Sequence, residues 1–523
     1  MRHGAERAHG TPVLRARRQP LTSSPRAVAS PLCTQAMAES CPERMTPDEF
    51  RRLGHALVEW VAHYREQMPS LPVMSSAKPG SIRSKLPLAA PEQAGELDTL
   101  LPLLDSVVLP GITHWNHPRF FAYFPSKTHL ASVLADLVSA GLGAQGMSWQ
   151  TSPAATEVEE VMMEWLRQLV GLPESFTGVL QDTASTATLV ALLCARERST
   201  GLGQSRGGLQ ENHPPLVVYA SEMAHSSVEK AALLAGFGRD FVRFLPTDAS
   251  CALVVTALEE AIRVDIHAGR RPCAVVATTG STGTTAMDPI LAIAEVAARH
   301  GLWLHLDAAM AGTAMVCPEL RVLWAGVEAA DSVVFNPHKW MGVGFDCTAY
   351  FVRDVPHLVS VMSTHPSVLR TAVDGEVKNF RDWGIPLGRR FRALKLWFVL
   401  HALGADGIRR AVRRDLALAE GLAARVDAAP GWERCAPVPL QTVCLRHLLS
   451  GRSKEEVNAH NLALAEAVNA TGRAYVTAAV VKDVQLIRVS IGALDTGQPD
   501  VDVVWEVLQR CARELAEGAP RKE

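Results

Sequence analysis

Four short strings carry the side chains that could do chemistry. In DSVVFNPHKWM, residues 331–341, an apolar run breaks at Asn336-Pro337 and is followed by His338 and Lys339. A proline there stops a strand's ladder and turns the chain out at the carboxyl end, where open α/β sheets place ligands. A lysine at that point, beside Trp340 and Met341, loses hydration; its pKa falls and it becomes a Schiff-base amine. The plainer reading is a solvated lysine after a strand. In HLDAA, residues 305–309, an apolar strand ends on the carboxylate of Asp307. Its burial is costly unless it meets a cation, and the alanines leave room for something flat. His225, in AHSS after a third strand, could stack on a flat ring or merely satisfy its own loop. Gln181 to Thr186, QDTAST, opens an apolar helix with small side chains and hydroxyls. Its free backbone N–H groups can cradle a phosphate, although a hydroxyl-capped helix start is the commoner meaning of such a string.

A ring nitrogen kept protonated by a carboxylate, a phosphate at a helix end and a lysine imine are what pyridoxal phosphate asks of a protein. Each station alone is weak evidence. The order cradle, His225, Asp307, Lys339 on one sheet predicts that cofactor.

Positioning these stations takes a parallel sheet. Strand patterns at 216–220, 273–278, 302–306 and around Val333 alternate with helical patterns at 185–196, 228–235, 257–267 and 290–300. Such alternation implies right-handed crossovers and strands buried on both faces. After an all-apolar helix near 389–401 the order becomes helix, strand (442–445), helix, strand (486–491), helix, which reads as a smaller α+β domain. The expected division is 1–44 as a leader, 45–128 as an N-terminal helical segment, 129–394 as the large domain and 395–523 as the small one. Thr46-Pro47-Asp48-Glu49 predicts a capping box with proline at the first helical position. Phe50, Leu53, Leu57, Val61, Tyr64 and Met68 then give the helix an apolar face without an obvious partner nearby. The aromatic string from Thr113 to Ser126 is more often packing than pocket.

Composition narrows the rest. The 523 residues are 48% apolar, with Lys+Arg 52 against Asp+Glu 54, so nothing in the charge suggests nucleic acid or an anionic membrane. No apolar run is long enough to span a bilayer. Ten cysteines without a C-x-x-C pair indicate a reducing compartment, the cytoplasm, and no metal site. The arginine-rich, acid-poor first 44 residues can be a transit peptide; a disordered tail or a start at Met37 or Met45 are the other expectations.

The chain resembles the group II pyridoxal-phosphate decarboxylases, and within them the aromatic L-amino acid decarboxylases, from Met45 to about residue 515. The shared strings are PGITHW (110–115), FFAYFP (120–125), AHSSVE (224–229), NPHKW (336–340) and IPLGRRFR (385–392). The resemblance implies a fold-type I large domain, like that of aspartate aminotransferase, and a homodimer with shared active sites whose N-terminal helices wrap the partner. It implies pyridoxal 5′-phosphate held on Lys339, with Asp307 pairing the ring nitrogen and His225 stacking opposite Ala309. Thr282 is implied near the phenolic oxygen, and Thr183, Ala184, Ser185, Asn336 and His338 at the phosphate. Substrate contacts fall at Trp115, Tyr123, Pro125 and Ser126, with Gln145 and Met147 reaching in from the other subunit. Gly388, where the related histidine decarboxylases tend to carry serine, leaves space for a catechol or indole. The activity implied is decarboxylation of tryptophan, DOPA, tyrosine or phenylalanine.

Three departures qualify the resemblance. Asp182 replaces a glycine and adds charge near the phosphate, and Met310 replaces a tyrosine as a packing change. Val368 replaces the loop tyrosine that relatives use to protonate Cα, leaving water or His365 as the acid. Valine has no proton to give, so an aldehyde product or a weakly active protein becomes an alternative. An aminotransferase and a non-catalytic homodimer are further alternatives; no aminotransferase string is present, and retention of Lys339, Asp307 and His225 argues for catalysis.

Overall fold

The structure, a computed structural model, describes residues 45–210, 212–364 and 375–518. The leader (1–44) and the loop positions His365 and Val368 lie outside the described residues. The chain divides into one compact unit ending at His63 and a second beginning at Tyr64. In the first, the expected capping box forms: Glu49 N donates to Thr46 Oγ1 (3.2 Å) and Thr46 N donates to Glu49 Oε2 (2.7 Å). Two orphan donors of the helix Pro47–Gln67 are thereby satisfied. That helix buries Leu53 but leaves Phe50, Leu57 and Val58 exposed.

The second unit is organised on a seven-stranded sheet. Its strands are β1 (Thr177–Gln181), β2 (Leu216–Ser221), β3 (Val242–Leu245), β4 (Arg271–Thr278), β5 (Trp303–Asp307), β6 (Ser332–Phe335) and β7 (Thr348–Val352). They stand in the order β1-β7-β6-β5-β4-β2-β3. Only β7 runs against its neighbours; the other pairings are parallel. All strands but β7 therefore end on one edge of the sheet. Along β6 the period of two sends Val333 into one core with Leu166, Leu304, Leu306 and Leu396, and Val334 into the other with Val190, Val218 and Val276. Each such side chain, fully buried, contributes about 1.5–3 kcal/mol, which fixes the strand register and hence where the strand ends point.

The sequence pattern had not delineated β1, β3, β7 or the helix Leu130–Leu142. In β1, Gly178 interrupts the apolar run where packing is close: a Cβ there would stand 2.2 Å from Met163 Cε and 2.7 Å from the Phe351 ring, so one or both side chains would have to shift. The helix Leu130–Leu142 lacks a polar face because Leu130, Val133, Leu134, Leu137, Val138 and Leu142 all point outward.

A second sheet, β8 (Trp432–Arg434), β9 (Thr442–His447), β10 (Thr477–Val481) and β11 (Val484–Ser490), is antiparallel in the order β10-β11-β9-β8. The helix Arg392–Ala428, bent at Gly404 (φ 62°, ψ 168°), serves both cores. Leu396, Val399, Ile408 and Val412 pack in the large one, Leu418, Leu422 and Val426 in the small one. The change of core falls between Val412 and Leu418, later in the chain than the boundary expected at 394, because one helix carries both apolar faces.

Candidate active site

Each station sits where a strand of the large sheet ends. β1 hands over to Thr183, the cap of the helix Ala184–Thr200, whose hydroxyl accepts from Thr186 N. β2 is followed by His225, the cap of the helix Ser226–Leu234. Asp307 is the last residue of β5. β6 ends at Phe335, and the turn Pro337–Trp340 carries Lys339. Thr282 follows the end of β4. These ends enclose a cavity of about 180 Å³. Every residue expected to hold the cofactor lines it: Thr183, Ala184 and Ser185; His225 and Thr282; Asp307 and Ala309; and Asn336, His338 and Lys339.

The electrostatics of the cavity follow from burial. Desolvation lowers the Lys339 pKa, opposed by the nearby Asp307 carboxylate, which moves the amine towards its neutral, nucleophilic form. Lys339 Nζ lies 5.3 Å from the Phe124 ring centroid. Desolvation also lowers the His225 pKa, with Asp307 raising it and Lys339 lowering it further. Ser227 N donates to His225 Nδ1 (3.2 Å), so the neutral ring carries its proton on Nε2. His338 is pushed down to about 4 by burial and by Lys339. Its Nδ1 lies 2.7 Å from the carbonyl oxygen of Cys347 and 3.0 Å from the Cys347 N, so the Cys347 backbone holds the ring. Thr348 Oγ1 donates to Asn336 Oδ1 (2.8 Å), fixing that amide.

Two observations test whether these residues fit pyridoxal phosphate. Asp307 is buried and accepts from Ala309 N (3.1 Å), yet it makes no ion pair among the described residues. A buried carboxylate calls for a cation, and a protonated pyridine nitrogen is one. Thr278 Oγ1, in register with Asp307 across β4 and β5, lines the cavity and has no hydrogen-bond partner among the described residues. A buried hydroxyl without a partner is costly, and a polar ligand beside it removes that cost. The residues present fit the group.

The expected substrate residues are placed differently. Phe124, which the sequence reading did not single out, lines the cavity; Trp115, Tyr123, Pro125, Ser126, Gln145, Met147 and Gly388 do not. Trp115 and Tyr123 are exposed and stack on each other at 5.5 Å. Gln145 Oε1 accepts from Arg389 N (2.6 Å), and a Cβ on Gly388 would stand 3.3 Å from Gln145 Nε2. Within one chain these two therefore adjoin. The Asp182 carboxylate accepts from Thr183 N (2.7 Å), beside the expected phosphate cradle, and stands in the field of Arg392 without lining the cavity itself. Met310, read as packing, is a wall residue whose sulfur accepts from Gln441 Nε2 at 3.2 Å. Ser227, Thr278, Gly280 and Phe345 complete the lining. Of these Thr278 alone had a legible signal, a threonine closing the strand next to the one that ends in Asp307.

The chain matches the family model described as the pyridoxal-dependent decarboxylase conserved domain over residues 79–448. It is 38% identical over 484 residues to phenylacetaldehyde synthase of Arabidopsis thaliana, covering 90% of this chain and 97% of that one. It is 38% identical over 497 residues to aromatic-L-amino-acid decarboxylase of Bos taurus, covering 92% and 99%. The crystal structure of Oryza sativa TDC with PLP and tryptamine superposes with a TM-score of 0.87 at 35% identity, covering 91% of this chain and 99% of that chain.

Proposed function

The chain belongs to the pyridoxal-dependent decarboxylase family. From that premise we propose that it converts an aromatic L-amino acid, tryptophan, DOPA, tyrosine or phenylalanine, to the arylalkylamine and carbon dioxide. The observation that carries this is the placing, on one cavity wall, of a lysine held towards neutrality and a buried carboxylate, Asp307, that makes no ion pair among the described residues.

When bound, pyridoxal 5′-phosphate supplies an electron sink for the pair released with carbon dioxide. Asp307 keeps the ring nitrogen protonated, so that the sink stays deep. Lys339, with its desolvated amine on the cavity wall, would hold the cofactor's aldehyde carbon. His225 offers a flat, uncharged ring with its Nε2 proton available. Thr183, Ala184 and Ser185 present the start of a 17-residue helix to the phosphate, whose backbone N–H groups and dipole favour an anion, and Asn336 and His338 complete the hold. Phe124 and Met310 keep that wall apolar, which strengthens the charge interactions inside.

A second reading is favoured by Val368. Valine cannot protonate Cα, which leaves His365 or water, and a persistent carbanion is open to dioxygen. Amino acid, dioxygen and water then give aldehyde, carbon dioxide, ammonia and hydrogen peroxide. The similarity to an aldehyde synthase supports keeping this branch. Incubation with each of the four amino acids and with histidine, measuring carbon dioxide, amine, aldehyde and peroxide, separates the two. Val368→Tyr is expected to raise amine per carbon dioxide released; an unchanged ratio removes the loop argument.

The protein is proposed to work as a homodimer. The outward apolar side of the helix Leu130–Leu142 is larger than isolated surface leucines require, and the exposed Trp115, Tyr123, Gln145 and Gly388 suit a rim completed by a second copy. A reducing, cytoplasmic setting is supported by the cysteines, which are unpaired among the described residues and nearly all buried. No described helix is long and apolar enough to cross a membrane.

A further inference from the structure

Behind the cavity lies an ion pair that the chemistry above does not use. Lys127 Nζ meets Asp415 Oδ2 at 2.5 Å, with the two side chains 2% and 0% exposed. Such a pair holds no advantage in stability over apolar packing unless its remaining hydrogen-bonding capacity is filled. Here it is filled. Trp340 Nε1 donates to the same Oδ2 (2.8 Å), and Arg414 donates to Oδ1 through Nε (3.0 Å) and Nη2 (2.7 Å). Arg414 in turn donates to the carbonyls of Leu494 (2.9 Å) and Ala493 (3.3 Å).

One carboxylate thus ties together three segments that are remote in sequence. Lys127 follows Phe124, the ring beside the Lys339 amine. Trp340 is the residue after Lys339. Asp415 stands on the helix Arg392–Ala428 where it passes from the large core to the small one. The backbones of the first two also bond directly, His129 N donating to Gly342 O (2.8 Å). At Gly492 a Cβ would stand 3.8 Å from Pro125 Cδ and from Trp340 Nε1, so these segments close on one another there as well. Lys339 itself is held by no ion pair among the described residues, and its turn spans only Pro337–Trp340. What fixes the turn from behind is the Trp340 indole on Asp415.

We propose that Lys127, Asp415 and Trp340 are positioning residues that set the Lys339 amine against the Phe124 wall. They act through the turn and touch no reacting atom. The inference rests on the reading that Lys339 bonds the cofactor.

Trp340→Phe keeps an aromatic ring and leaves the ion pair in place, and removes the N–H together with the bulk of one fused ring. In the holoenzyme it is expected to lower kcat by ~10-fold or more while KM stays within about threefold, the signature of a misplaced reacting group. The pH at which the cofactor's visible absorbance changes is expected to shift, a change that the lower thermal midpoint expected from the smaller ring at this buried site does not by itself produce. Lys127→Met combined with Asp415→Leu replaces the pair with apolar groups of similar size and is expected to show the same two changes. A folded Trp340→Phe protein with the parent's kcat and absorbance titration overturns the proposal, whether or not the double variant folds. If the parent itself shows neither visible absorbance nor release of carbon dioxide, the reading of the site falls and this inference falls with it.

Discussion

The floor and the rim of the cavity are built to different standards. The floor, from Thr183 to Lys339, is drawn from the ends of parallel strands whose side chains are locked into two cores, and every residue expected there is present in one chain. The rim, with Trp115, Tyr123, Gln145 and Gly388, is exposed and stands apart from the cavity lining. A family can therefore keep its cofactor chemistry on the rigid part while substrate choice is left to segments that further contacts must complete.

The floor breaks most severely at Lys339. Lys339→Ala is expected to lower kcat/KM by at least about a thousandfold, ~4 kcal/mol, with visible absorbance lost and the thermal midpoint little changed; a variant with a tenth of parental activity contradicts the assignment. The floor also carries a pH signature. His338 is pushed down to about 4 from 6.5, so the unfolded chain binds the proton first. The stability this confers is complete above ~6.5 and is lost as pH falls towards 4, up to roughly 3 kcal/mol. Urea unfolding across that window should show a steeper loss for the parent than for His338→Gln, and equal slopes count against it. The buried Asp288, raised by desolvation to about 6, works the other way, gaining stability as pH falls through the same window, and is common to both proteins.

The rim is expected to fail through assembly. Leu134→Glu with Leu137→Glu, on the exposed side of the helix Leu130–Leu142, should give a smaller species in sedimentation and a loss of at least about tenfold in kcat/KM, ~1.4 kcal/mol. A fully active monomer would remove the second copy from the rim. The gentlest change is Gly388→Ala. Its Cβ would stand 3.3 Å from the end of the flexible Gln145 side chain, which can give way. We expect a change of about threefold, ~0.7 kcal/mol, in the preference between indole and phenol substrates, with kcat for the smaller one unchanged.

The same contrast decides what the sequence could reveal. Asp307 and Lys339 were legible because a charge closing an apolar run has few structural explanations. β4 and β5 were legible because parallel strands buried on both faces are apolar throughout. β1 was not, since Gly178 and Gln181 dilute a five-residue strand and the side chains that crowd the glycine, Met163 and Phe351, are remote in sequence. The helix Leu130–Leu142 escaped because its outer side is apolar, so its hydrophobicity lacks the one-sided period by which a surface helix is recognised. What the Asp182 carboxylate bonds was not legible, because sequence fixes the residue and not its rotamer, and the donor it meets is its own neighbour's N–H. Phe124 and Phe345 enter the lining through loop conformation, which no periodicity encodes.

The most direct test of the account is chemical capture at one side chain. The purified protein, reduced with borohydride and digested, should yield the peptide around NPHKW carrying a phosphopyridoxyl group on Lys339, with loss of the visible absorbance. A colourless protein whose Lys339 peptide stays unmodified under the same treatment would contradict it.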